Sequence, residues 1–175
     1  MRVELDSRAR KEGHVVQGAI VHAMGEYIGG VWAGDFLAKM GYSVHALIAP
    51  DGDLIEGVDP ARVAYHAGVS QWQDYTVSHS LNETFLGCEF LVEGDHTLET
   101  LYAAMARDDC YTEDQYVMGG LLYAQWMRDF NIPEELILGH SMVAGDDVRG
   151  AGNGKRDPGD GFQWARLKEE IAKNL

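Results

Sequence analysis

The sequence predicts an α/β fold in which α-helices flank a mixed central β-sheet, within a single domain over residues 1–175. Short β-branched and apolar segments alternate with segments of helical periodicity. A hairpin signal near the middle of the chain rules out an all-parallel sheet. The length of 175 residues, without repeats or linkers, suits one domain with a sizeable core.

The first half of the chain contains signals for five elements. They are a strand at 17–22, a loop at 24–30, a helix at 31–40, and strands at 42–48 and 53–58. Apolar residues in the helical segment follow helical spacing, and Gly41 suits the position just after its end. Between the last two strands, Pro50 presets φ and Gly52 accepts a positive φ, so a hairpin turn is expected there.

The second half predicts a long loop, two strands and two helices. The loop is expected at 60–84, the strands at 85–92 and 135–139, and the helices at 112–130 and 162–173. Thr112 and Gln115 match a capping box at the start of the longer helix. The strand at 85–92 is apolar apart from Glu89. Because burying a carboxylate costs free energy, this exception marks Glu89 as a candidate functional residue.

Charge and composition exclude several classes of function. The chain has 28 acidic and 14 basic residues, a formal net charge of −14, which argues against nucleic acid and anionic membranes as partners. No apolar run reaches the length of a membrane span. The charged N-terminus lacks the apolar core of a signal peptide, so a cytoplasmic location is expected. Cys88 lies in an apolar run and is expected to be a buried thiol, since two cysteines make no disulfide framework.

Three polar residues occur on or at the ends of predicted strands. His22 and His140 end two strands, and Glu89 lies within a third. Pro158 disfavours the α conformation for Asp157, so Lys155 and Asp157 should point to one side of an extended segment. Two histidines and a carboxylate are typical ligands of a catalytic zinc ion.

The same residues are also compatible with structural roles. The histidines could be satisfied strand-end residues, Asp157 a helix cap, Glu89 a buried ion-pair partner and Lys155 a solvated lysine. The order of six sequence blocks favours a more specific interpretation. They are AIVH at 19–22, SVHALIAPDGDLIEGV at 43–58, AYHAGVSQW at 64–72, NETFLGCE at 82–89, ILGH at 137–140 and KRDPGDGFQW at 155–164. In these blocks the sequence resembles the zinc-dependent N-acetylmuramoyl-L-alanine amidases of the type-2 amidase family, which are related to peptidoglycan recognition proteins.

This resemblance implies a role for each residue of the predicted centre. His22, His140 and Asp157 match the zinc ligands of the family. Glu89 matches the carboxylate that activates or orients the attacking water. Lys155 matches the lysine that stabilises the tetrahedral oxyanion.

Further residues match positions that line the substrate groove of the family. These are His45, His66 and Asn82, although either histidine could instead orient a metal ligand. Trp72 could stack on a sugar or cover the core. Val44 stands where some members have a tyrosine with a catalytic part, so that contribution is expected to be absent.

The implied reaction is hydrolysis of the amide between N-acetylmuramic acid and L-alanine, in peptidoglycan or in soluble muropeptides. Both a phage endolysin and an enzyme of wall recycling fit this interpretation. The alternative is a non-catalytic peptidoglycan-binding module; such relatives usually lose a metal ligand, and all three are present here. A zinc hydrolase that cuts a peptide–peptide bond is a third, weaker option.

Overall fold

Two long parallel strands form the centre of the computed structural model, which describes all 175 residues. The eight strands are β1 (Arg8–Ala9), β2 (Gly18–Ile28), β3 (Val31–Trp32), β4 (Ala46–Ile48), β5 (Leu54–Glu56), β6 (Arg62–Val63), β7 (Phe85–Asp95) and β8 (Ile137–Gly139). The main sheet has the order β3-β2-β7-β4-β5, and β8 pairs with β2 on the edge that β3 also uses. Strands β1 and β6 form a separate two-stranded sheet.

The main sheet is mixed, as predicted. Strand β2 is parallel to both β7 and β8, and β7 is parallel to β4. The pairs β2–β3 and β4–β5 are antiparallel, and the second of these is the predicted hairpin. The fold class expected from the sequence is therefore confirmed.

Six α-helices surround this sheet. They are α1 (Ala33–Met40), α2 (Leu98–Met105), α3 (Glu113–Phe130), α4 (His140–Val143), α5 (Asp146–Arg149) and α6 (Trp164–Asn174). The largest apolar cluster contains 30 buried residues and includes side chains of β7, α3 and α6. A second cluster of seven residues joins α1 to the sheet. None of the helices has the length and apolar character needed to span a membrane.

Local signals in the sequence account for the predicted helix ends. Thr112 and Gln115 form the expected capping box of α3, and Gly41 ends α1 with φ of 72°. The amide of Gln115 also donates to the carbonyl oxygens of Ile48 and Leu91, at 3.1 and 2.9 Å. The same side chain therefore caps α3 and fastens it to two strands. Cys88 is a buried free thiol, as predicted.

The local structure differs from the prediction in three places. Strand β2 continues to Ile28, where a loop at 24–30 was expected, because Gly29 and Gly30 adopt positive φ and form a two-residue hairpin turn into β3. Helix α2 was not predicted, since its capping box uses Thr97 and Thr100 instead of a glutamate or glutamine. The segment 141–154, for which no helix was predicted, contains the last three residues of α4 and all of α5.

A buried histidine links β4 to two other segments of the chain. His45 is 3% exposed; its Nδ1 accepts from the Gly87 amide at 2.9 Å, and its Nε2 donates to the Arg62 carbonyl at 3.2 Å. Burial lowers the pKa of His45 from 6.5 to about 4. The native ring therefore stays neutral at pH values where the unfolded chain binds a proton. Stability contributed by this ring is present above pH 6.5 and is lost as the pH falls toward 4.

Replacing His45 should flatten the pH dependence of stability. In His45→Asn the side-chain oxygen can still accept from the Gly87 amide, but the titrating group is gone. We expect the free energy of unfolding to change less steeply between pH 6.5 and 4, by up to about 1.4 kcal/mol per pH unit. Urea unfolding of the metal-free protein at several pH values measures this slope. His79→Asn is the control, because His79 is exposed and its φ of 64° suits asparagine; an unchanged slope in His45→Asn would contradict the assignment.

Candidate metal centre

The register of the parallel strands brings the predicted centre together. His22 on β2 is the direct neighbour of Glu89 on β7, so their side chains leave the same face of the sheet. On the other side of β2, Val21 pairs with Gly139, which sets His140 level with His22. Three residues that are distant in sequence therefore meet at one height across three strands.

Asp157 completes a compact group of possible metal ligands. One ligand atom from each of His22, His140 and Asp157 lies within 4.8 Å of the others. Asp157 Oδ2 is 3.4 Å from Nδ1 of His22 and 3.0 Å from Nδ1 of His140. The two histidines are 2% and 4% exposed, and Asp157 is 9% exposed.

The environment favours the deprotonated form of two of these ligands. Burial, followed by the charge of His140, lowers the pKa of His22 to about 4, so the ring is neutral at pH 7. Burial alone would raise the pKa of Asp157. Its charge interaction and hydrogen bond with His140, and then those with His22, outweigh burial and hold that pKa well below its usual value. The centre therefore offers a neutral imidazole and an anionic carboxylate, the forms in which these groups bind metals.

A chain of hydrogen bonds fixes which nitrogen of His22 faces Asp157. Nε2 of His66 lies 3.1 Å from the Phe85 carbonyl oxygen, which can only accept, so Nε2 carries the proton. Nδ1 of His66 is then an acceptor, 2.9 Å from Nε2 of His22. His22 donates through Nε2, so its Nδ1 presents a lone pair to Asp157. Gly87 makes this arrangement possible, since a Cβ atom there would lie 2.6 Å from the His66 ring.

His140 is oriented in a similar way. Its Nε2 lies 3.3 Å from the carbonyl oxygen of Ala67, which can only accept a hydrogen bond. In the neutral ring, Nδ1 then directs its lone pair at Oδ2 of Asp157. A proton on either Nδ1 would be shared with Asp157, and a bound cation would take the place of that proton between two imidazole nitrogens and a carboxylate oxygen. The donor set suits a metal ion.

A second carboxylate with different properties lies beside this group. Glu89 is 9% exposed, and its Oε2 is buried without a hydrogen-bond partner. Burial, and then the charge of Asp157, raise the pKa of Glu89 well above its usual value, while Lys155 acts in the opposite direction. A carboxyl group in such an environment holds a proton more tightly than an exposed one, as a proton carrier in catalysis must.

A cavity of about 550 Å³ holds this constellation. Seven of the nine residues singled out in the sequence line it, namely His22, His66, Asn82, Glu89, His140, Lys155 and Asp157. Its other walls are mostly apolar and come largely from α1, α2 and the residues next to them. Val44 also lines the cavity, so no hydroxyl group occupies the position where some family members have a tyrosine.

The remaining two residues lie elsewhere. His45 does not line the cavity, because both of its ring nitrogens bond to backbone atoms and its ring packs against Trp126. Trp72 packs against the main core and does not line the cavity. Its indole nitrogen is buried without a hydrogen-bond partner. The structure therefore places His45 outside the cavity and, of the two roles considered for Trp72, shows it covering the core.

Asn82 and two unexpected residues also shape the cavity. The side-chain oxygen of Asn82 accepts from the amides of His66 and Ala67, at 3.1 and 2.8 Å, and so holds the segment that carries His66. His96 lines the cavity next to α2. Arg149 lines it from the end of α5. No signal in the sequence indicated these two positions.

Comparison with known proteins identifies relatives of this chain. The curated relatives include 1,6-anhydro-N-acetylmuramyl-L-alanine amidase AmpD of Escherichia coli K12, which is 29% identical over 137 residues, covering 78% of this chain and 62% of the relative. The AmpD of Citrobacter freundii is 28% identical over 132 residues, covering 75% and 58%. The chain thus spans about three fifths of the length of these relatives.

Solved structures share the fold. A crystal structure of a selenomethionine derivative of AmpD superimposes with a TM-score of 0.69 at 24% identity, covering 97% of this chain and 92% of that one. The Escherichia coli amidase AmiD, solved with the substrate anhydro-N-acetylmuramic acid-L-Ala-D-γ-Glu-L-Lys, gives 0.64 at 19% identity, covering 95% and 62%. At these identities the likeness establishes the fold alone.

A family model provides the decisive match. The model described as N-acetylmuramoyl-L-alanine amidase covers residues 12–160, a range that contains the strands of the sheet and all three candidate metal ligands. The chain belongs to the N-acetylmuramoyl-L-alanine amidase family.

Proposed function

We propose that the protein is a zinc-dependent amidase that hydrolyses the amide bond between N-acetylmuramic acid and L-alanine. The observation that carries this proposal is the convergence of His22, His140 and Asp157 in a cavity that also contains Glu89 and Lys155. Family membership and the curated relatives support the same reaction. The intact ligand set favours an enzyme over a binding module.

Zinc is the metal that best suits the three ligands. Two imidazoles and one carboxylate are a common protein ligand set for catalytic zinc, with a fourth position left open. When bound, zinc supplies Lewis acidity that lowers the pKa of water to about 7 and polarises an amide carbonyl. His22, His140 and Asp157 would hold the ion, and the hydrogen bond from Nε2 of His22 to His66 leaves Nδ1 of the neutral His22 ring available to it.

Glu89 handles the protons of the reaction. Hydrolysis requires that a water proton be removed during attack and that the amine nitrogen of L-alanine receive a proton as it leaves. The unpartnered Oε2 of Glu89 can accept the first proton, and the same carboxyl group can donate the second. Its raised pKa favours the protonated state that this transfer passes through.

Lys155 stabilises the charge that develops on the amide oxygen. Its side chain lines the same cavity as Glu89 and Asp157. A positively charged donor at this place favours the tetrahedral state over the planar amide. Because Val44 carries no hydroxyl, Lys155 is the residue we assign to this task.

The substrate is a muropeptide, and we favour a soluble fragment of the recycling type. The curated relatives are named as amidases of the 1,6-anhydro form of N-acetylmuramyl-L-alanine. Comparing anhydromuropeptides with intact cell-wall sacculi distinguishes this role from that of an endolysin. Faster release from sacculi than from the soluble fragment would overturn the recycling assignment.

The decisive experiment combines metal analysis with a product assay. We expect the purified protein to bind one zinc ion per chain and to release stem peptide with a free L-alanine amino group from anhydromuropeptide. A chelator should abolish release, and added zinc should restore it. Zinc binding without release would point to the binding module or to another scissile bond. Absence of zinc binding would refute the metal centre.

His66 should control metal affinity without contacting the metal. In His66→Leu, Nε2 of His22 loses its acceptor, so the ligand tautomer is no longer fixed. We expect zinc affinity, measured by competition with a chelating dye, to fall roughly 10- to 100-fold. His66→Asn is the matched variant, since its side-chain oxygen can still accept from His22 and should preserve more of the affinity. Equal affinities for His66→Leu and the wild type would contradict the assigned hydrogen-bond chain.

Glu89→Gln should separate metal binding from catalysis. The amide has nearly the shape of the carboxylate but cannot take up a proton at neutral pH. We expect full zinc occupancy and a kcat lower by at least on the order of 10²-fold. Zinc content and stem-peptide release are measured on the same preparation. A variant that keeps wild-type kcat would exclude Glu89 as the proton carrier.

A further inference from the structure

The segment 141–154 matches none of the six sequence blocks on which the family resemblance rests, yet it contributes a residue to the cavity. Its chain forms most of α4 and all of α5 before it returns to Lys155. Arg149, the last residue of α5, lines the cavity together with Gly68 on the opposite segment. What this arginine does there follows from its contacts.

The guanidinium of Arg149 is held in place through one of its donors. Its Nε donates to the Val69 carbonyl oxygen at 2.9 Å. The terminal nitrogen NH2 lies over Gly68, where a Cβ atom would approach it to 2.6 Å. The absence of a side chain at Gly68 therefore leaves the space that the guanidinium occupies. A charged group fixed in this way loses little conformational entropy when it binds a ligand.

Arg149 forms no ion pair with the protein itself. Of the nine arginines only Arg8, Arg107 and Arg166 pair with a carboxylate, and Arg149 is the one unpaired arginine that lines the cavity. The two terminal nitrogens of the Arg149 guanidinium have neither an ion-pair partner nor a hydrogen-bond acceptor in the protein. A half-buried guanidinium in a cavity, with its terminal donors free, suits a carboxylate of the ligand.

The proposed substrate has a free carboxylate at a suitable distance from its scissile amide. In a stem peptide that continues from L-Ala to γ-linked D-Glu, the α-carboxylate of the glutamyl residue is free. An extended dipeptide places this group about 7 Å from the scissile amide. Nε2 of His140 lies 3.3 Å from the Ala67 carbonyl oxygen, and Nε of Arg149 lies 2.9 Å from the Val69 carbonyl oxygen. Two residues of chain separate these oxygens by at most about 7 Å, so the guanidinium lies within about 13 Å of the His140 ring.

We propose that Arg149 is a specificity-determining residue that binds the α-carboxylate of the γ-D-glutamyl residue in the stem peptide. The assignment rests on the proposed amidase function for the class of substrate. Arg156 is a poorer candidate, because its guanidinium lies over the Tyr102 ring, 5.0 Å from the centroid, and does not line the cavity. Lys155 is directed at the amide oxygen in the proposed reaction.

Two anhydromuropeptides that differ in one group test the assignment. One carries γ-D-Glu with its free α-carboxylate, and the other carries the corresponding α-amide. We expect the zinc-loaded wild type to favour the acid in kcat/KM by on the order of tenfold. Arg149→Gln should bring this ratio close to one by lowering kcat/KM for the acid only. Arg156→Gln removes the same charge outside the cavity and should keep the wild-type ratio.

Other outcomes overturn the proposal. A wild-type ratio near one, or an equal loss on both substrates in Arg149→Gln, would leave Arg149 with a structural role only. If neither muropeptide is hydrolysed, the amidase proposal fails, and calorimetric binding of the tripeptide L-Ala–γ-D-Glu–L-Lys and its α-amide decides the matter separately. Tighter binding of the acid that disappears in Arg149→Gln supports the subsite. Binding that is absent, or that does not depend on Arg149, refutes it.

Discussion

The site depends on two imidazole nitrogens and a carboxylate oxygen that lie within 4.8 Å of one another and can share a proton or hold a cation. Nδ1 of His22, Nδ1 of His140 and Oδ2 of Asp157 converge because backbone carbonyl groups, directly or through His66, hold the histidine protons on the opposite nitrogens. The Phe85 carbonyl orients His66 and, through it, His22, whereas the Ala67 carbonyl orients His140 directly. Without a proton or a cation such a cluster is unfavourable, since lone pairs repel in a medium with little water. The parallel strands on either side of β2 supply the rigidity that keeps the atoms together, and a cation turns the same repulsion into binding free energy.

Two carboxylates within this small space take opposite properties from their surroundings. Asp157 lies against two imidazoles, whose hydrogen bonds and charges overcome the effect of burial and keep it anionic. Glu89 lies one strand away without a hydrogen bond to Oε2, and the charge of Asp157 adds to the effect of burial, so its proton is held more tightly. The environment thus separates a permanent ligand from a proton carrier, although both groups are carboxylic acids.

The sequence predicts those parts of the molecule that depend on local or pairwise patterns. The sequence shows histidines at the ends of two apolar strands, a glutamate inside a third strand and the capping box of α3. Parallel pairing of the strands then brings the two histidines and the glutamate together. The orientation of His45 and Trp72 is not readable, because alternation along a strand does not state which backbone groups a ring will meet. Helix α2 is missed because Thr100 replaces the usual acidic or amide residue of its capping box. Arg149 is missed for a different reason: its position depends on the carbonyl of Val69, a contact across 80 residues of sequence.

The residues that the sequence predicts and those that it misses lie in different parts of the cavity. The groups assigned to the chemistry are held by the sheet or by the short segment that ends in Asp157, where register and buried hydrogen bonds leave little freedom. The groups that face the rest of a substrate come from α1, α2 and α5, which lie at the rim and whose sequences can change without moving a strand. Apolar residues dominate the rim formed by α1 and α2, whereas α5 adds a fixed cation on another part of it. A ligand with an apolar or sugar portion on one side of the scissile bond and a carboxylate on the other would satisfy both. Lys155 and Arg149 thus place two positive charges on the wall of this cavity in a chain whose net charge is −14, which favours the approach of an anionic group there.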